Sequence, residues 1–447
     1  MKRIIILLLM SVIVRGVSAQ DLSNKLDSLI NIYHSYNKFN GSVLVSKNGK
    51  IILEKGYGFS DVTSRSLNDP QTIYQIGSIT KEFTALIVLK LVEKRQLTLD
   101  TKLNMFFPQL PGSDSITIKN LLTHTSGIFN YTDIDDFWHH QDLPTNEKSV
   151  IDSLKKRRLL FKPGEKFSYS NSNYMLLAYI IQKVTKQPYQ AIVRNWIFKP
   201  LKMTDSGFDF KNLRNIRKAI GYWNFSAAKY TEGPPNDSSE FIGSGDIYST
   251  VSDLFKWHQG LQSGKLLDEK WMTASYKAFK GAYGFGWELD SMAGRKIVGH
   301  NGRVFGFEAK MIRVPEQDIF IVLLNNHSDK PWLHPLGQEI MALLCNQPFA
   351  MPEAPVQLTG KQLNGLTGKF AGDKDHIFEV RLINDHLFGV EGDHLLELLT
   401  FPGNRLKAID GPGEVVTMQV TLDEDGKSVK MTAANPRGAT VELKRIE

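Results

Sequence analysis

Residues 42–54 read Ser42-Val43-Leu44-Val45-Ser46-Lys47-Asn48-Gly49-Lys50-Ile51-Ile52-Leu53-Glu54, two apolar runs on either side of an Asn-Gly pair. Asn-Gly suits a two-residue type I′ turn, because both central positions of that turn take positive φ. The stretch predicts a β-hairpin near the start of the chain. Strand-like runs return only far downstream, at 283–289, 296–299, 307–314 and 319–324, the last two joined across Pro315-Glu316-Gln317-Asp318. From about residue 78 to 270 the periodicity is mostly helical, interrupted at Pro108, Pro163-Gly164 and Pro234-Pro235. Strands at both ends of a helical middle predict one antiparallel sheet assembled from the two ends of the unit, with helices packed beside it: an α+β fold. Helices expected over 20–39, with Leu26, Leu29, Ile30 and Tyr33 on one face, and over about 336–344 complete this unit.

Pro348, Pro352 and Pro355 mark residues 347–357 as a linker. Beyond it, short alternating runs at 376–383, 386–390, 415–421 and 440–444 are separated by turns such as Asn384-Asp385 and Asp425-Gly426. That pattern predicts a small all-β barrel or sandwich over 358–447. His376, Asp385, His386, Glu391, Asp393 and His394 are scattered among its turns and read as solvated loop residues rather than a metal site.

The first 19 residues read as an export signal. Lys2 and Arg3 precede an apolar run over 4–14, and Val17-Ser18-Ala19 offers small residues for cleavage. About eleven apolar residues are too few for the roughly 20 that a membrane span needs, so no stable membrane anchor is expected and the mature chain is placed outside the cytoplasm, secreted or periplasmic. The formal charge of +7 falls to +4 once Lys2, Arg3 and Arg15 are removed with the signal. The one dense basic stretch, Lys155-Lys156-Arg157-Arg158, reads as a solvated helix end, and no nucleic-acid partner is expected. With 42% hydrophobic and 23% charged residues the chain is an ordinary globular one. Cys345 is the single cysteine, so no internal disulfide can form, and its apolar neighbours suggest a buried structural thiol.

Three short motifs carry chemistry. In Ser78-Ile79-Thr80-Lys81 the serine and lysine, three apart on a helix, share one face, and a desolvated lysine can accept the serine proton. The same spacing at Ser35/Lys38, Ser153/Lys156 and Ser226/Lys229 makes it unspecific alone, but only the Ser78 copy opens a strongly apolar helix. In Tyr169-Ser170-Asn171 a phenol beside an ammonium can be biased toward phenolate and relay protons, and an Asn amide can hold both lysine and substrate. A polar loop capping the next helix is the plainer reading. Gly299-His300-Asn301-Gly302, just after a strand, suits close approach of a substrate backbone, with His300 donating to it; a structural turn is the plainer alternative. No H-E-x-x-H or G-x-S-x-G occurs, and His139-His140 lacks ligand spacing, so no metal or other cofactor is expected.

Ser-x-x-Lys, then Tyr-x-Asn, then a His-x-Gly strand resembles the active-site set of serine hydrolases related to class C β-lactamases and penicillin-binding proteins. Leu121-Leu122-Thr123-His124-Thr125-Ser126-Gly127, the glycine-rich Gly243-Ser244-Gly245-Asp246 and the segment from Gly299 to Phe307 extend the resemblance over residues 38–345. It implies an antiparallel sheet flanked by helices with an all-helical subdomain over 20–346. It further implies Ser78 as nucleophile, Lys81 as general base and Tyr169 as proton donor to the leaving group. Asn171, His300, Asn301, Gly302 and Arg303 would bind substrate, with the backbone N–H groups of Ser78 and Arg303 as oxyanion hole. One departure is His300, where β-lactamases and carboxypeptidases of the family usually carry Lys. The expected activity is acyl-enzyme hydrolysis of an ester or amide: a small molecule, short peptide, or D-amino-acid peptide or ester, including cell-wall-derived ones. The alternatives are a true β-lactamase or D,D-carboxypeptidase, and an inactive peptidoglycan- or β-lactam-binding sensor. The oligomeric state is left open.

Overall fold

The structure, a computed structural model, describes residues 19–134, 137, 140–328, 331–372, 377–391, 394–411 and 414–447. The expected export signal up to Ser18 lies outside the described residues, as do His139, His376 and Asp393. Among the described residues no helix is long and apolar enough to cross a membrane.

The chain begins with α1 (Ala19–Ser35), then β1 (Gly41–Lys47) and β2 (Lys50–Tyr57). Asn48 and Gly49 between them take φ of 53° and 70°, the double positive φ that the sequence called for. Short strands β3 (Phe59–Asp61), β4 (Ser66–Leu67) and β5 (Tyr74–Gln75) lead to the helical middle. That middle holds α2 (Thr80–Glu93), α3 (Ile118–Leu122), α4 (Glu147–Leu154), α5 (Asn171–Thr185) and α6 (Tyr189–Val193), which passes through a π-helical turn into α7 (Lys199–Leu201). A hairpin of β6 (Tyr222–Ser226) and β7 (Lys229–Glu232), then β8 (Tyr248–Ser249), α8 (Val251–Gln262) and α9 (Glu269–Ser275), close it. The return strands are β9 (Glu288–Met292), β10 (Arg295–Val304), β11 (Phe307–Val314) and β12 (Ile319–Asn325), followed by α10 (Leu333–Leu344).

Six strands form one antiparallel sheet in the order β2-β1-β12-β11-β10-β9. β1 lies between β2 and β12, in register from Gly41 opposite Asn325 to Lys47 opposite Ile319. Side chains alternate across it. Val43, Val45, Ile321 and Leu323 join one core with α1 and α10, while Leu44, Phe320, Val322 and Leu324 join the larger core with the helical middle. Burial on both faces is why these strands are nearly continuous apolar runs.

Several boundaries differ from the sequence reading. α1 stops at Ser35, and Asn37 beyond it takes φ of 55°. The run 283–289 is loop until Glu288. β10 extends to Val304, so the third motif lies inside a strand rather than after one. Cys345 is half-buried at the end of α10, not within its buried face. The basic stretch 155–158 is exposed just past α4, as expected.

From 347 to 359 the chain has neither helix nor strand. After α11 (Gly360–Leu366) come β13 (Gly368–Ala371), β14 (Ile377–Ile383), β15 (His386–Glu391), β16 (His394–Phe401), β17 (Arg405–Gly411), β18 (Glu414–Leu422), β19 (Ser428–Ala434) and β20 (Thr440–Arg445). They form a closed antiparallel barrel, which settles barrel against sandwich. β13 pairs with β20 to shut it, and Phe370, Leu406, Met431 and Leu443 fill it. Closure leaves no open strand edge. The barrel touches the first unit through Asn37 Nδ2, which donates to Glu397 Oε2 at 2.7 Å, and Asn384 Nδ2, which donates to the Ala227 carbonyl at 2.9 Å.

The sheet's dependence on β12 gives a direct test. Ile321 is fully buried between Val45 and Ile312. Ile321→Ala is expected to lower stability by about 2–5 kcal/mol through the cavity it leaves, read as a lower urea midpoint.

Candidate active site

Ser78 sits on a tight 3-10 turn, Gly77–Ile79, that runs straight into α2. α2 is apolar almost all round and buried nearly throughout, as a helix at the centre of a larger core must be. Phe83 stacks on Trp257 at 4.3 Å, and the Trp257 indole N–H donates to Glu82 Oε2 at 3.0 Å. Burial pushes the Glu82 carboxyl well above the usual range, so it is held protonated in the core.

Lys81 lies one turn along and is wholly buried. Its Nζ is 2.9 Å from Ser78 Oγ, 2.8 Å from Asn171 Oδ1 and 2.7 Å from the Ser244 carbonyl oxygen. Burial lowers its pKa well below the ordinary lysine value, against an opposing pull from Glu288 and Asp246. A neutral amine has two N–H groups and one lone pair. Asn171 Oδ1 and the Ser244 carbonyl can only accept, so they take both N–H groups. In the neutral amine the lone pair is then left for the Ser78 hydroxyl proton, whereas an ammonium gives its third N–H to Ser78 Oγ. The neutral arrangement is the one that makes an amine a base toward an alcohol.

The other motifs arrive from distant segments. Tyr169 O–H donates to Ser78 Oγ at 2.9 Å, and Lys81 Nζ stands 4.9 Å from the centre of the Tyr169 ring. Asn171 opens α5; its backbone N–H donates to Asn130 Oδ1, and its Nδ2 to Thr132 Oγ1 at 3.3 Å, which fixes the amide with Oδ1 toward Lys81. Burial raises the Tyr169 pKa. Burial thus works against the expected bias toward phenolate, and the hydroxyl donates its proton to Ser78 Oγ.

His124, from the Leu-Leu-Thr-His segment, backs this wall. Its ring lies 4.4 Å from that of Tyr169, and its Nδ1 accepts from the Ser170 backbone N–H at 3.2 Å. Burial holds it neutral.

Along β10, His300, Gly302 and Val304 face Ser78, while Asn301 and Arg303 face the other side of the sheet. β10 approaches the Gly77–Ile79 turn so closely that a methyl on Gly302 would stand 2.0 Å from the Ile76 carbonyl oxygen and 3.3 Å from Ser78 N. A methyl on Gly77, which has φ of 51°, would stand 2.7 Å from Arg303 N. Two glycines thus let the Ser78 and Arg303 backbone nitrogens come together. The Arg303 guanidinium itself turns away to the Ser328 carbonyl.

His300 and Asn301 differ from expectation. His300 Nδ1 lies 2.6 Å from the Asn301 carbonyl oxygen, which can only accept, so Nδ1 carries the proton. Nε2, 2.9 Å from the Tyr283 hydroxyl, must then accept from it. The ring is neutral, burial lowering its pKa, and has no donor left for a substrate. Asn301's amide lies on the far face, where its Nδ2 donates to Glu288 Oε2 at 2.7 Å and its Oδ1 accepts from Lys310 Nζ at 2.8 Å. Sequence reasoning missed Tyr283 and Glu288, because the segment that holds them reads as an ordinary strand. Among the described residues no three His, Cys, Asp or Glu side chains are grouped to hold a metal ion.

A buried lysine against a serine, a tyrosine on the same oxygen and a paired set of backbone N–H groups define a serine hydrolase site. Residues 29–345 match the family described as Beta-lactamase, and the chain belongs to that family of serine hydrolases, shared with the penicillin-binding proteins. It is 26% identical over 436 residues to penicillin-binding protein 4* of Bacillus subtilis, covering 91% of this chain and 95% of that one. To PbpX of the same organism it is 35% identical over 232 residues, 52% of this chain, and it spans only 57% of PbpX's length. Among solved structures, an octameric penicillin-binding protein homologue from Pyrococcus abyssi superposes with a TM-score of 0.68 at 26% identity, covering 94% of this chain and 99% of that one.

Because Lys81 and Tyr169 meet on one oxygen, Lys81→Ala and Tyr169→Phe together are expected to lose far less rate than the product of their single losses. Acylation in the unmodified protein should fall as pH drops and Lys81 gains a proton, and kcat/KM against pH should lose that limb in Lys81→Ala. Gly302→Ala should force β10 off the Ser78 turn and, if the Arg303 N–H serves as an oxyanion donor, cost about 10²–10³ in kcat, with an unchanged circular-dichroism spectrum.

Proposed function

We propose that this protein is an exported hydrolase that forms an acyl-enzyme at Ser78 and passes the acyl group to water. Lys81 takes the Ser78 proton as Oγ attacks the ester or amide carbonyl. The backbone N–H groups of Ser78 and Arg303 hold the developing oxyanion. Tyr169 delivers a proton to the departing oxygen or nitrogen, and the same pair then activates the deacylating water, consistent with microscopic reversibility. Asn171 positions Lys81 and has its amide within reach of the acyl chain. The observation that carries this reading is that Lys81 Nζ and the Tyr169 hydroxyl each lie 2.9 Å from Ser78 Oγ.

The substrates that fit are esters and amides of small acyl groups: short peptides, D-amino-acid peptides or esters, including those derived from cell wall. The relatives named as penicillin-binding proteins support the cell-wall association. His300 argues against a dedicated β-lactamase or D,D-carboxypeptidase, since a neutral imidazole with both nitrogens engaged offers no cation to a substrate carboxylate. The barrel reaches the first unit at the end of α1 and at the β6–β7 turn. Its role in this reading is to shape access or dock a partner, not to supply a reacting group.

The mature protein, assayed in parallel on p-nitrophenyl esters, D-Ala-D-Ala peptides and nitrocefin, is expected to turn over esters fastest. A fluorophosphonate should label Ser78, and Ser78→Ala should lose both label and turnover. A nitrocefin rate above the ester rate would make it a β-lactamase. A Ser78 adduct with a β-lactam that never clears, without ester turnover, would make it a sensor.

A further inference from the structure

β9 begins at Glu288, opposite Gly299, so the edge of β10 from His300 onward has no strand beside it. Residues two apart on a strand send their N–H groups to the same side. Asn301 N and Arg303 N therefore share the open edge, and Arg303 N is the one beside Ser78. Asn301 N is already engaged: it donates to Glu288 Oε2 at 3.3 Å. The same oxygen accepts from Asn301 Nδ2, and the other, Oε1, lies 3.6 Å from His300 Nδ1. The carboxylate thus straddles the strand edge, reaching both faces, and its side chain remains 36% exposed.

The direction of the departing group follows from Tyr169. Its ring lies 6.2 Å from His300 and 6.3 Å from Tyr283. In the acyl-enzyme reading Tyr169 protonates the departing group, which then lies on the Tyr169 side of Ser78, where His300 and Tyr283 stand and where the backbone donor of Asn301 is the one Glu288 holds. The other titratable groups nearby do not offset this on the cleft side. Burial lowers the pKa of both Lys81 and His300. Lys310, buried with its amine on Asn301 Oδ1, faces the Glu288 carboxylate across that amide and shares its charge with Asp290 and Glu308.

We propose that Glu288 sets leaving-group specificity: its carboxylate, seated on the open edge of β10, disfavours substrates whose departing group carries a carboxylate and favours neutral or cationic ones. The substrate class is then an ester or amide whose released alcohol or amine has no free acid near the scissile bond. This rests on the acyl-enzyme reading above.

The test uses the full mature chain and three acetate esters with the same acyl group: phenyl, 3-carboxyphenyl and 3-(trimethylammonio)phenyl acetate. The unmodified protein should prefer the cationic and neutral esters over the anionic one. Glu288→Gln keeps an acceptor for Asn301 and removes the charge, and should raise the anionic-to-neutral ratio of kcat/KM roughly tenfold, the scale of one partly solvated like-charge contact. Independently of any variant, raising the salt concentration should narrow the same ratio in the unmodified protein. Ser78-dependent turnover with a ratio that neither Glu288→Gln nor salt changes overturns the role of Glu288. Absence of turnover that depends on Ser78 overturns the acyl-enzyme reading, and this inference with it.

Discussion

An ammonium that loses its water must find a carboxylate or give up its proton. Lys81, fully buried, has three hydrogen-bonding neighbours, all uncharged. The remaining features of the site serve that condition. α2 is apolar on every side because it carries Lys81 into the interior. The glycine-rich segment before β8 folds over it so that a backbone carbonyl can take one N–H; Gly243, at φ of 69°, lies where a methyl would be 2.6 Å from Ala178 Cβ. α5 begins where it does because Asn171 must meet the amine at its first turn. Even Glu82, next in sequence, adapts by staying protonated.

The second constraint is steric. The backbone N–H groups of Ser78 and Arg303 come from different elements, and side chains on both elements would hold them apart. Gly77 and Gly302 remove that obstacle from each side. The rigid six-stranded sheet then fixes β10, and the buried turn fixes Ser78, so the geometry does not depend on any flexible loop closing. A polar wall of His124, Tyr169, Tyr283 and His300 completes the cleft, each ring neutral and each oriented by the next.

Much of this was legible in the residues. Asn48-Gly49 announced the hairpin, and the apolar runs at both ends announced a sheet closed by its own termini. The order of three weak motifs singled out Ser78 among four equally spaced Ser/Lys pairs. What stayed hidden has physical causes. His300 and Asn301 look alike as polar neighbours in a sequence, but strand alternation sends them to opposite faces, and only one belongs to the cleft. The extent of β10 was missed because Gly, Asn and Gly are poor strand formers that tertiary pairing with β11 overrides. Tyr283 and Glu288 carried no motif, since their significance depends on where β9 begins. Barrel and sandwich share one alternation pattern, and only the pairing of β13 with β20 separates them.

The position of β1 also bears on how the protein is made. Its partners are β2, which follows at once, and β12, whose Asn325 pairs with Gly41 across most of the first unit. During synthesis the hairpin forms early with one long apolar edge uncovered, and it waits until nearly the whole unit has left the ribosome. Such non-local pairing folds slowly and exposes strand edges in the meantime. The interval favours capture by holding chaperones. The strand order that places Ser78 beside β10 thus also postpones the moment at which the polypeptide can lock.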